Sequence, residues 1–74
     1  MKALIKLREE KNLSRSDIAT MINMRYSKYC ILERKDLELP LDYLVTIATE
    51  CNVPFYELID NPNIKEIAKT IKII

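Results

Sequence analysis

A chain of 74 residues has room for one small domain, and 49% apolar content with no glycine and only five aromatic residues suits packed helices better than a sheet. No stretch reaches the roughly 18 uninterrupted apolar residues of a membrane span, and the leading MKALIKLREEK has no apolar signal core, so a cytoplasmic protein off the membrane is expected. The net charge of +1 hides a division: residues 1–35 carry nine Lys or Arg against four Asp or Glu, residues 36–62 carry six acids and no base, and residues 63–74 carry three Lys against one Glu. One positive face able to attract a polyanion is compatible with that near-neutral total.

In chain order, Leu4, Ile5 and Leu7, with Leu13 beyond, predict a first helix over about residues 2–11, ended by Asn12 in a left-handed conformation. Ser14 stands at the next helix start, and Asp17 three residues on completes an acidic capping box. The second helix, about 15–22, turns Ile18, Ala19 and Ile22 to one face and breaks at Asn23. A third follows over about 25–34, with Tyr29 and Leu32 inward and Tyr26, Ser27, Cys30 and Ile31 on the other side.

Residues Lys35 to Pro40 read as a loop, closed by a proline that a helix interior excludes. The fourth helix, about 41–51, has Leu41, Leu44, Val45, Ile47 and Ala48 as its buried set. Asn52 ends it, and Pro54 opens a short fifth helix through Leu58 and Ile59. Asn61–Pro62–Asn63 reads as a turn, after which Ile64, Ile67, Ala68 and Ile71 recur at helical spacing. Residues 1–60 thus form the main domain and 61–74 a C-terminal helix.

Chemistry is sparse. Cys30 and Cys51 stand 21 residues apart in a chain without histidine, which makes no zinc site. There is no glycine loop for phosphates, and Cys30 with Lys28 is not a catalytic constellation, so neither an enzyme, a metal, a cofactor nor a small-molecule ligand is expected.

The informative stretch is 15–34, RSDIATMINMRYSKYCILER. Two short helices joined by a tight turn cross steeply and need a small residue at closest approach, which Ala19 supplies. They also need a residue able to turn left-handed four positions later, which Asn23 supplies. Ile18, Ile22, Met24, Tyr29 and Leu32 fall on the facing sides.

Here the chain resembles the phage repressor and Cro class of helix-turn-helix proteins, also known as xenobiotic-response-element-like regulators. Leu7-Arg8 and Leu13-Ser14 within LREEKNLSRSDIATMINM, Glu33 at the end of the third helix, and CNVPFYEL after Leu44 carry the likeness across roughly residues 4–59. Asn23, Lys35 and Asn52 stand where that family usually has glycine, Tyr29 replaces an Ile or Val, and the loop Asp36-Leu37-Glu38-Leu39 brings two carboxylates where the family approaches phosphates.

The resemblance implies a compact all-α, five-helix domain with a further helix at its C-terminus. It also implies double-stranded DNA as partner, bound by a homodimer acting as a small transcriptional regulator, with residues 25–34 in the major groove. Carried over position by position, Ser14 and Arg15 become phosphate contacts. Tyr26, Ser27 and Ile31 face bases, and Arg25, Lys28, Arg34 and Lys35 serve phosphates. Arg8 and Glu33 become an ion pair holding helix three on the scaffold. Ile64, Ile67 and Ile71 either pack on their own domain or meet a second copy. A competing expectation keeps the fold but makes it a protein-interaction module or antitoxin-like subunit, with Tyr26, Tyr29, Ile31, Leu37 and Leu39 as its partner surface.

Overall fold

A computed structural model describes residues 1–70. They form α1 (Lys2–Glu10), α2 (Arg15–Met21), α3 (Tyr26–Arg34), α4 (Leu41–Cys51), a single 3-10 turn (Phe55–Leu58) and α5 (Pro62–Thr70). Among the described residues there is no strand, and the domain is all-α.

The helix endings set this architecture, and they do so without glycine. α1 to α4 each close through a left-handed residue: Asn12, Asn23, Asp36 and Asn52, with φ of 57°, 54°, 54° and 56°. Just beyond each, a backbone amide reaches back into the helix's last turn: Leu13 to the carbonyl of Arg8 (2.9 Å), Met24 to Ala19 (2.8 Å), Leu37 to Leu32 (2.9 Å) and Val53 to Ala48 (3.0 Å). These bonds satisfy carbonyls that the helix itself leaves open. The left-handed region is unfavourable for an ordinary L-residue by roughly 1–2 kcal/mol, and Asn and Asp tolerate it best after glycine. The third closure corrects an expectation. Lys35, which the resemblance set against a glycine, has φ −90°, and the reversal falls one residue later on Asp36, a side chain that suits it.

α2 begins on a complete capping box. The Asp17 amide donates to Ser14 Oγ at 3.0 Å, and the Ser14 amide donates to Asp17 Oδ2 at 2.8 Å. The short fifth helix expected after Pro54 is instead the 3-10 turn, bonded from the Glu57 amide to the Pro54 carbonyl at 3.1 Å. Only four residues separate Pro54 from extended Ile59, too few for an α-helix to propagate. The supposed turn Asn61–Pro62–Asn63 is likewise a helix start. Asn61 Oδ1 accepts from the amides of Asn63 (2.9 Å) and Ile64 (3.2 Å), and Pro62 occupies the first helical position, where its missing N–H is not needed.

Leu4, Ile18, Tyr29 and Ile47, one from each of α1 to α4, are fully buried at the centre. The inward face of α4 is Leu44, Ile47, Ala48 and Cys51 at helical spacing, with Val45 half-buried. Leu41, counted with that face from the sequence, is 52% exposed, since it opens the helix directly after Pro40 at the edge of the core. Buried Leu39 belongs to the core in the loop before it. α5 lies against the 3-10 turn, with Ala68 buried and the Lys69 ammonium 5.7 Å from the Tyr56 ring centre.

The left-handed closures give a test. Asn52→Ala should lower stability by about 1 kcal/mol, whereas Asn52→Gly should stay close to the wild type. Urea unfolding followed by circular dichroism reads both.

Candidate nucleic-acid interface

α2 and α3 cross through the turn at Asn23, with buried Ala19 at the close approach and the Met24 amide on its carbonyl. This crossing leaves the outer side of α3 unpacked. Arg25, Tyr26, Ser27, Lys28, Ile31, Arg34 and Lys35 are all exposed, and so are Ser14, which caps α2, and Arg15 at its first position. Ser14, Arg15 and Tyr26 come together with Ser16 and Arg8 around one shallow surface depression. Arg34 and Lys35 lie at the other end of α3, about 15 Å along its axis from Arg25 at 1.5 Å per residue.

Glu33 is the one acidic residue of α3, and its side chain is only 4% exposed. Arg8 meets it with two donors, Nε to Oε2 at 3.0 Å and Nη2 to Oε1 at 3.3 Å, while Arg8 Nη1 donates to the Leu13 carbonyl at 3.1 Å. This guanidinium, 12% exposed, thereby joins α1, the loop after it and α3. A second cation shares the carboxylate: Arg15 Nε donates to Glu33 Oε1 at 3.0 Å. Arg15, assigned from the sequence to phosphate alone, is therefore also an ion-pair partner, held between helices.

The Tyr29 hydroxyl is buried beside the same carboxylate without a hydrogen bond of full geometry. Burial, and then Glu33, push that phenol far above its ordinary range. Burial also opposes ionisation of Glu33, but Tyr29, Arg15 and Arg8 outweigh it and hold its pKa below the ordinary value. Neighbouring Cys30 raises the Tyr26 phenol, against the pull of Arg15, so Tyr26 is a neutral donor at physiological pH.

Asp36, one of two carboxylates that opposed a polyanion in the loop, is paired. Its Oδ1 accepts from the Met1 ammonium at 2.7 Å, and that ammonium also meets Asp60 Oδ2 at 2.9 Å. Asp60 Oδ1 in turn accepts the Ala3 amide at 2.8 Å, closing the start of α1. No local pattern in the sequence announces this clamp, because its three members lie 24 or more residues apart. Its effect is to leave Glu38 as the loop's unpaired acid among the described residues.

Two members of the alternative partner surface are not surface at all: Tyr29 and Leu39 are buried. Tyr29 fills the centre of the core, and Leu39 packs ahead of α4, which leaves Tyr26, Ile31 and Leu37 exposed. On α5, Ile67 is 60% exposed and Ile64 is exposed too, so Ala68 alone turns that stripe inward. Ile71 lies outside the described residues. No helix among those residues is long and apolar enough to cross a membrane. The described residues form a small all-α, helix-turn-helix-like domain with exposed cations along and beside α3. No protein-family model matches this chain, and neither does any curated protein or solved structure.

The buried carboxylate predicts a pH dependence. With its folded-state pKa below the ordinary 4.5, Glu33 binds fewer protons in the native than in the unfolded chain between those two values. Its contribution to stability is complete above the ordinary value and is lost as pH falls through the folded-state pKa. Asp60, lowered because the Met1 ammonium and the Ala3 amide outweigh its burial, acts in the same direction. Urea midpoints should therefore drop on acidification through the carboxylate range. Arg8→Met should cost about 3 kcal/mol at neutral pH, and Arg15→Met should cost less, since Arg15 is the more exposed partner.

Proposed function

We propose that this protein binds double-stranded DNA in the cytoplasm as a small sequence-specific regulator, with α3 in the major groove. One observation carries the reading. The exposed residues of the stretch 25–35 include four cations, Arg25, Lys28, Arg34 and Lys35, while its one acid is buried and doubly paired. A helix of this kind meets a polyanion with no like charge of its own in the way. Tyr26 and Ser27, near the start of α3, stand where base edges are reached, and Ile31 one turn on suits a thymine methyl. Two copies on a palindromic site are part of the reading. Exposed Ile64 and Ile67 supply an apolar contact for the second copy.

A protein-interaction role on the same fold is supported by exposed Tyr26, Ile31 and Leu37 beside the cations. Selection from a random duplex pool, followed by binding of the selected duplex in a salt series, separates the two. The DNA reading expects a palindromic site with half-sites about one helical turn apart. Lys28→Ala should weaken selected and unselected duplexes alike and reduce the salt slope by about one. Tyr26→Ala or Ser27→Ala should instead lose preference for the selected site, by roughly tenfold where a base contact is made, at nearly constant slope. Salt-independent or absent binding to every duplex would hand the lead to the interaction role.

A further inference from the structure

We infer that Glu33 is a positioning residue for phosphate binding: it takes the Nε edge of Arg15 and leaves the Nη edge free to receive one backbone phosphate. The inference rests on the DNA-binding reading and adds a division of labour within the Glu33 cluster. Arg8 already neutralises Glu33 through two hydrogen bonds and is 12% exposed. Arg15 is thus the surplus cation of the trio. It bonds the carboxylate through Nε alone, and its side chain is 52% exposed. Neither Nη group makes a well-aligned hydrogen bond among the described residues, and the Tyr26 hydroxyl is the polar neighbour within reach of this guanidinium. Arg15 borders the depression that it lines with Arg8 and the hydroxyl-bearing residues Ser14, Ser16 and Tyr26.

A guanidinium is planar and rigid, so fixing one edge fixes the direction of the other. A long cation on the surface ordinarily loses side-chain freedom when it grips a phosphate. Here that loss has occurred already in the unbound protein, because a carboxylate anchored in the core holds the side chain. Lysine has a single compact ammonium on a flexible stem and no second edge to offer. Retaining the charge of Arg15 is therefore not enough; the two-edged geometry and its anchor are both needed.

The test uses the full chain and the duplex returned by selection, made with a neutral methylphosphonate at one backbone position at a time. Wild-type protein should lose roughly tenfold in affinity at one such position near α2, the scale of a charge-assisted hydrogen bond. Arg15→Ala should bind the unmodified duplex about as weakly and ignore the modification at that position. Arg15→Lys, which keeps the charge, should behave like Arg15→Ala rather than like the wild type. The double variant Arg8→Met/Glu33→Leu replaces the buried pair by apolar groups of similar volume, a change that buried ion pairs often tolerate. It retains Arg15 without its anchor and should likewise lose the dependence on that one phosphate. Should it fail to fold, Arg15→Lys decides alone. Wild-type behaviour in Arg15→Lys or in the folded double variant overturns the positioning role while DNA binding stands. A wild-type protein that binds no duplex overturns both.

Discussion

A carboxylate in the last turn of a helix faces the negative end of the helix dipole, and one removed from water loses its hydration as well. Glu33 of α3 bears both penalties, and the arginines of α1 and α2 are what make its position tenable. The constraint runs in the other direction too. Three helices are oriented by the need to bring Arg8, Arg15 and Glu33 together, so the crossing of α2 and α3 is held by charge as well as by Ala19 and Ile18. Burying the acid also clears the outer surface of α3 of negative charge.

Electrostatics elsewhere in the molecule follow the same logic of local compensation. The acidic stretch 36–62 stands opposed to the basic first half in the sequence, but its charges are not equally exposed to a partner. Asp36 and Asp60 are drawn together by the Met1 ammonium, which also ties the start of α1 to the loop after α3 and to the segment before α5. The loop beside α3 therefore confronts a polyanion with less negative charge than its composition suggests. α5 contributes differently: it buries a small alanine, pins Lys69 over Tyr56, and leaves its larger isoleucines outside.

Features that depend on a few neighbouring residues were legible in the sequence. Asn12, Asn23 and Asn52 announce left-handed helix ends because so few side chains tolerate that conformation, and Ser14 with Asp17 announces a cap. The apolar spacing around Ile18 and Ile47 placed the core. What escaped has a common cause: it is decided by partners distant in the chain or by a one-residue choice of register. Nothing near Arg15 indicates that its Nε edge belongs to Glu33, 18 residues on. Asp36 rather than Lys35 turns left-handed because α3 runs through Arg34 before reversing. Pro62 reads equally well as a turn or as a first helical residue until the Asn61 cap is seen. Leu41 and Leu39 exchange roles at the core's edge, where periodicity alone does not say how far burial extends.

The proposed DNA-binding surface is the exposed side of α3 with the start of α2. Titrating a short duplex into uniformly nitrogen-15-labelled protein, and following the backbone amides by nuclear magnetic resonance, tests it most directly. Shifts should concentrate in residues 14–17 and 25–35 and be suppressed by added salt, with the 3-10 turn and the centre of α4 nearly still. Shifts concentrated on α5 and the 3-10 turn, or an unchanged spectrum at excess duplex and low salt, would contradict that assignment.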